Sequence, residues 1–452
     1  MRIVIVGDGK VGVTLTQRLS SEGHDLVIID RNPSVLGKSV TQYDVIGILG
    51  NGASLKTLQE AEVGKSDLLI AATSADEVNL LCCITARKLG VKRSIARVRN
   101  PEYTEQLALL KEDLGLSMTI NPDLAAAMEI LNLIHFPAAI KRETFARGKA
   151  EIIELKLQKD NILCGRYLRE LTHLTKCQVL VCAVERGETL EIPSGDFQLR
   201  AGDNIYVTGS FRDLAAFVQK LNFLDHRIRN VMLIGGSRIA FYLAKILLSE
   251  GYRVKILEID SRQCEKLAAD IPDAQIIHGD GTQMDILAAE EIENTDAFVA
   301  LTDLDEVNIV LSMFAKRIGV YKVITKINRM EYTDLAAQME VESIVSPKNI
   351  VCNDIVRYIR ALDHTSQGSV LALHRLVREK VEALEFSVTP NTHHLETPLK
   401  NLKIKSGVLL ACIHRRGRII IPNGSDVLRQ GDSVVVVTTA DRIFYNLNDI
   451  FE

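Results

Sequence analysis

The sequence predicts an α/β protein of two tandem copies of one unit. Each unit is a doubly wound parallel-sheet lobe of Rossmann type followed by a small, β-rich α+β lobe. Three observations predict this. The stretch IVIVGDGKVG from Ile3 to Gly12 returns as VMLIGGSRIA from Val231 to Ala240, with later landmarks in the same order. Short apolar runs alternate with helical periodicity inside each copy. A glycine-rich turn joins the first strand to the first helix of the chain.

The elements follow in order. Ile3–Val6 reads as a strand and Lys10 to Ser21 as a helix, whose Val11, Leu15 and Leu19 form one apolar stripe. Gly23 stands where a glycine would end that helix. Strands are expected at Leu26–Ile29, Leu68–Ala72 and Ser94–Val98, with a helix at Glu77–Leu89. A helical segment from Asn121-Pro122 should break at Phe136-Pro137. From about Ala150, and again from about Val381, the chain becomes β-rich, with strands such as Ile152–Leu157, Val179–Val184 and Asn204–Val207. The register of the duplication holds throughout. Gly50-Asn51-Gly52 matches Gly279-Asp280-Gly281, Asp76-Glu77-Val78-Asn79 matches Asp305-Glu306-Val307-Asn308, and Arg200-Ala201-Gly202-Asp203 matches Arg429-Gln430-Gly431-Asp432. The expected lobes are 1–137, 138–222, 229–365 and 366–452, with a polar link around Asn222 to Asn230 joining the halves.

Composition narrows the function. The 452 residues are 47% hydrophobic and 25% charged, with a formal net charge of −4, so no electrostatic pull toward nucleic acid is expected. The most hydrophobic stretches are interrupted by Asp76, Glu77, Arg238 and Lys245, which argues against a membrane span. A first strand starting at Arg2 leaves no room for the parts of a signal peptide, so a cytoplasmic location is expected. The eight cysteines form no CxxC and no zinc-like spacing, and they read as small core hydrophobes.

Gly7-Asp8-Gly9-Lys10-Val11-Gly12 is GxGxxG between a strand and a helix. Gly7 permits the tight turn, Gly9 lets a pyrophosphate approach, and Gly12 packs helix on strand. Asp30 ends the second strand, where a carboxylate accepts hydrogen bonds from ribose hydroxyls and repels a 2′-phosphate, which favours NAD over NADP. Asn51-Gly52-Ala53, Thr73-Ser74 and Arg97 fall at carboxyl ends of strands, the ligand side of a doubly wound sheet. Thr73 and Ser74 either cap a strand or line the ligand, and Arg97 either contacts the ligand or pairs with a local carboxylate. Asp76, Glu77 and Asn79 suit a helix start by capping alone. In the second copy Ser237 replaces the phosphate-access glycine while Glu258 keeps the ribose position. That lobe binds another nucleotide, binds NAD weakly, or is empty. No catalytic or metal-binding set emerges, because His135, His226 and His393-His394 lie in separate modules without a nucleophile or metal partner.

Taken together, GDGKVG at Gly7, Asp30, GNGAS at Gly50, ATSADEVN at Ala72, IARVRNPEY at Ile95 and LTDLDEVN at Leu301 resemble the TrkA family. These are tandem RCK (KTN) proteins that serve as cytosolic regulatory subunits of Trk-type bacterial potassium uptake systems. The resemblance spans essentially the whole chain. It implies two RCK units, no enzymatic activity, and a ring, as a homo-oligomeric dimer or tetramer, at the inner face of the cell membrane beneath a potassium channel or transporter subunit. It also implies NAD(H), and in the family ATP or ADP, as ligands. By motif it carries NAD contacts onto Gly7, Asp8, Gly9, Lys10, Val11, Asp30, Thr73, Ser74 and Arg97, with Asn51 on the adenine side. The rival readings are an NAD-dependent oxidoreductase, recognised by NADH turnover, and a scaffold whose sites are vestigial, recognised by absence of nucleotide binding.

Overall fold

The computed structural model describes residues 1–452 except 111–113, 146–148, 188, 222–227, 340, 342, 364–369, 377–379, 440, 441 and 443. Most of the polar link, His226 and the expected 365/366 lobe boundary lie outside the described residues. The chain divides into two compact units, residues 1–128 with 346–356, and residues 129–345 with 357–452.

In the first unit the elements are β1 (Arg2–Val6), α1 (Lys10–Ser21), β2 (Asp25–Asp30), α2 (Pro33–Gln42), β3 (Ile46–Leu49), α3 (Leu55–Glu60), β4 (Leu68–Ala71), α4 (Asp76–Lys88), β5 (Ser94–Arg97), α5 (Pro101–Leu110) and β6 (Met118–Ile120). The helix α6 (Pro122–His135) begins in this unit and ends in the second. The sheet order is β3-β2-β1-β4-β5-β6, every pair parallel, so the order reverses between β1 and β4. Ile3, Val4 and Ile5 are fully buried, as a strand covered by helices on both faces requires. On α1 the stripe Val11, Leu15 and Leu19 is buried. The helix ends as expected at Gly23, where φ is +77° and the His24 N–H reaches back to the Leu19 carbonyl.

The second unit holds three sheets. In the first, β7 (Lys141–Phe145), β8 (Ala150–Lys156), β9 (Val179–Arg186), β10 (Thr189–Glu191) and β11 (Asn204–Ser210) pair antiparallel in the order β10-β9-β11-β8-β7, with α7 (Leu171–Thr175) and α8 (Phe211–Lys220). The second repeats the parallel lobe: β12 (Asn230–Ile234), α9 (Arg238–Ser249), β13 (Arg253–Glu258), α10 (Ser261–Asp270), β14 (Gln275–His278), α11 (Met284–Ala289), β15 (Ala297–Ala300), α12 (Asp305–Ile318), β16 (Lys322–Lys326), α13 (Met330–Gln338) and β17 (Ser343–Val345). Its order, β14-β13-β12-β15-β16-β17, is that of the first lobe. After α14 (Pro347–Asp363), the third sheet has β18 (Val370–Leu376), β19 (Val381–Ser387), β20 (Val408–Arg415), β21 (Arg418–Ile420) and β22 (Ser433–Thr439) in the order β18-β19-β22-β20-β21.

Each antiparallel sheet thus has one strand, β7 or β18, before the change to a β-rich pattern expected at about Ala150 and Val381. The early strand β7, KRETF, alternates charge with few apolar residues, so it gives no hydrophobic run to read. The two antiparallel sheets share one apolar core, in which Phe145, Ile152, Cys182 and Tyr206 meet Val381, Ala411, Cys412 and Val435. Burial pushes the Cys82, Cys83, Cys182 and Cys412 thiols up to about 12, which leaves them unreactive, in line with cysteine as a small core hydrophobe.

Each long helix after a parallel lobe is divided between the units. The first turns of α14 belong to the first unit, where the Cys352 thiol faces the Val11 carbonyl at 3.8 Å and Arg18 donates to the Asn353 side chain. The end of α6 belongs to the second, where His135 meets Glu250 at 2.6 Å and the Lys322 ammonium donates to the Pro137 and Ala139 carbonyls. Among the described residues no helix is long and apolar enough to cross a membrane.

Candidate nucleotide site

The expected site residues converge at the carboxyl end of the first parallel sheet. Gly7 to Val11 follow β1, Asp30 ends β2, Asn51 follows β3, Thr73 and Ser74 follow β4, and Arg97 ends β5. The site therefore straddles the β1/β4 switch point.

The three glycines of the turn have different reasons. Gly7 has φ +97°, and a Cβ there would stand 2.8 Å from the Thr73 nitrogen, so both conformation and packing require glycine. A Cβ on Gly12 would lie 2.0 Å from the Gly7 carbonyl oxygen, so Gly12 sets the distance between α1 and the loop. Gly9 meets nothing within 4 Å, and its φ of −78° suits any residue. Nothing in the protein itself demands a glycine at that position. Gly9 is the N-cap of α1 and gives no side-chain cap, so the first amides of the helix face open space with the positive end of the helix dipole behind them.

Asp30 is half-buried, and its carboxylate accepts the Asp8 N–H at 2.6 Å and the Asn32 N–H at 2.8 Å. Asp8 is fully buried, and neither of its oxygens meets a donor at hydrogen-bonding geometry. Burial pushes its carboxyl pKa up, the Ser39 hydroxyl of α2 pulls it back, and the charge of Asp30 raises it again. A raised folded-state pKa means that the associated stability is present below the ordinary carboxylate range and lost as pH rises through the folded value. Asp8→Ala is therefore expected to be more stable than the parent chain at pH 7 by about 1 kcal/mol, with the difference vanishing near pH 3. Denaturant unfolding at the two pH values checks this, and a pH-independent difference would contradict it.

Thr73 is held by Asn79. Its N–H and hydroxyl both donate to Asn79 Oδ1, at 2.8 and 2.7 Å, while Asn79 Nδ2 donates to the Thr73 carbonyl at 3.2 Å and the Arg97 carbonyl at 2.9 Å. Arg97 donates to the Thr73 carbonyl, and Arg99 donates to that of Ser74 at 2.8 Å. Asn51 turns its own loop by accepting the Ala53 N–H at 3.1 Å. Lys10 and Ser74 are exposed, and Val11 is buried beneath the loop.

The acidic start of α4 does something the sequence reading missed. The N-cap is Ala75, with no side-chain cap. Asp76 instead accepts the N–H groups of Arg99 and Asn100, both at 2.8 Å, and Glu77 accepts the Tyr103 hydroxyl at 2.6 Å. The second copy repeats this with Asp305 on Asn328 and Arg329, Glu306 on Tyr332, and Asn308 on Thr302 and Lys326. The repeated Asp-Glu-x-Asn is thus a clamp that ties the β4 and β5 loops together. The signal was the repetition itself, with Tyr103 and Tyr332 at matching positions.

The chain matches the family model described as TrkA-N domain over residues 3–122 and 231–347, and that described as TrkA-C domain over residues 152–222 and 383–447. It is 33% identical to the Trk system potassium uptake protein TrkA homolog 1 of Methanosarcina mazei, with 97% of this chain and 98% of that protein covered. It is 30% identical to the Trk system potassium uptake protein TrkA of Halomonas elongata, with 100% and 99% covered. Among solved structures it is similar to the GsuK RCK domain, with a TM-score of 0.63 at 18% identity over 97% of this chain and 92% of that one. It is similar also to the GsuK channel bound to NAD, with a TM-score of 0.63 at 17% identity over 97% and 77%. With two TrkA-N and two TrkA-C domains in tandem, and relatives of that kind along its whole length, this chain belongs to the TrkA family.

Proposed function

We propose that this chain is a nucleotide-responsive regulatory subunit of a potassium uptake system. In this reading it binds NAD(H), and competitively ATP or ADP, in its first parallel lobe, and it acts on a separate membrane channel or transporter subunit as a homo-oligomer on the cytoplasmic face. The observation that carries the reading is the uncapped N-terminus of α1 behind Gly9, beside the Asp30 carboxylate, in space that no protein atom uses. Such a cradle suits a pyrophosphate with a ribose at its side. The names of the curated relatives support the potassium side of the reading, and the NAD-bound and ADP-bound GsuK structures support the ligand class. Gly7, Gly9, Lys10 and Val11 would meet the phosphates, Asp30 the ribose, and Asn51 the adenine side. Thr73, Ser74 and Arg97 would close the far side, with Asp8 beneath.

The mechanism is a shift between two shapes of the assembly by a ligand that binds them unequally. No residue is asked to move a proton or form a bond, which separates this reading from an oxidoreductase. Gly9→Val is the sharpest test, because the apo fold has room for the side chain and the ligand does not. The variant should unfold at the same temperature as the parent, bind NADH at least tenfold more weakly by calorimetry, and restore altered potassium uptake to cells lacking the protein. Equal affinity in the two proteins, or catalytic consumption of NADH, would overturn the proposal.

A further inference from the structure

The two parallel lobes share a topology, yet their crevices differ in how the phosphate end is furnished. In the second lobe Ser237 is the N-cap of α9, and its hydroxyl accepts the Ala240 N–H at 3.5 Å, whereas α1 has no such side chain. Ala240 stands fully buried where Gly12 stands in the first lobe. A methyl group at Gly12 would come within 2.0 Å of the loop carbonyl, so the methyl of Ala240 requires a wider spacing of helix and loop. The loop itself is gripped from α10: Gln263 Nε2 donates to the Gly236 carbonyl at 2.7 Å, and Leu267 lies 2.6 Å from where a Cβ on Gly236 would be.

Charge differs in the same direction. The first crevice carries Lys10, Arg31, Arg97 and Arg99 against Asp8 and Asp30. At the corresponding positions the second carries only the cations Arg238 and Lys326, with Ile259 and Asn328 in the places of Arg31 and Arg99, against Glu258, Asp260, Asp280 and Asp303. Four cations and two carboxylates thus become two cations and four carboxylates. Asp303, in the place of Ser74, is fully exposed at the rim and lies 3.5 Å from the Lys326 ammonium, the counterpart of Arg97. Asp280, in the place of Asn51, accepts the N–H and hydroxyl of Thr282 and is held ionised, its pKa lowered mainly by those bonds. An anionic ligand there meets added carboxylates and a helix end that already has a partner.

We infer that this chain takes one dinucleotide, in its first parallel lobe, and that Ser237, Asp280 and Asp303 keep the second lobe from taking another. The inference rests on the proposed function, since it presumes that the first lobe binds. Glu258 keeps its bonds to the Gly236 and Asp260 amides, so it holds the loop as Asp30 does without serving a ribose.

Equilibrium dialysis of the full chain against labelled NADH counts the sites. One NADH per chain is expected, falling to none for Asp30→Ala over the same concentration range. The combined variant Ser237→Gly, Asp280→Asn, Asp303→Ser should bind two per chain, and its retained first-site affinity serves as the control for folding. Two per chain in the parent protein, or one remaining in Asp30→Ala, would overturn the inference while leaving the functional reading intact. None in the parent would remove that reading and the inference together. A combined variant that stays at one would refute the assignment of those three residues.

Discussion

Gly12→Ala is expected to abolish nucleotide binding and to destabilise the first unit by about 3 kcal/mol, a loss of the size seen when a core is overpacked against backbone. The added methyl would lie 2.0 Å from the Gly7 carbonyl oxygen and 3.0 Å from its carbon, and neither atom belongs to a side chain that can rotate away. Gly7 cannot retreat, because Thr73 and Ala72 occupy the space on its other side. The helix must therefore move outward, and the amides of its first turn move with it. Thermal unfolding together with NADH titration reads both effects. A variant with the parental melting temperature and affinity would show that the loop has slack that the distances deny.

Asp30→Ala should weaken NADH binding by a factor on the order of a hundred. Hydrogen bonds to a charged acceptor are worth about 1.5–3 kcal/mol each, and a ribose offers two hydroxyls. The same carboxylate repels a 2′-phosphate, so the variant should narrow or erase the preference for NADH over NADPH. The comparison separates recognition from support. Asp30 also holds the Asp8 and Asn32 amides, and if its loss only loosened the loop, both dinucleotides would weaken equally. Titration with the two cofactors distinguishes these outcomes.

The part of this architecture that could be read from sequence is the part governed by local periodicity. The strands β1, β2, β4 and β5 are apolar runs buried on both faces, and α1 carries its stripe at helical spacing. The edge strands β3 and β6 escaped notice. Ile46–Leu49 is largely exposed and contains Gly47, and Met118–Ile120 is only three residues long. The division of α6 and α14 between the two units was invisible, because it depends on which surface each helix covers and not on its own pattern. At the site, the residues could be assembled by motif, but their roles could not. Asp76 and Asn79 read as helix-start residues, and only geometry reveals that they bind loops some twenty residues away. Likewise the sequence displays Ser237 in place of a glycine, while the capping bond that makes the change matter is a three-dimensional fact.

The division of α14 has a consequence for biosynthesis. The first unit is completed by residues 346–356, which leave the ribosome only after residues 129–345 have been made. At about 5–20 residues per second this is a delay of roughly 10–45 s, during which the nascent first lobe lacks the strip that covers Val11 and Arg18. The amino-terminal portion, whose own core lies within residues 4–116, therefore stays without one of its covering segments until late in synthesis. Gene fragments that stop before that segment should give poorly behaved protein even when they contain every residue of the glycine-rich loop.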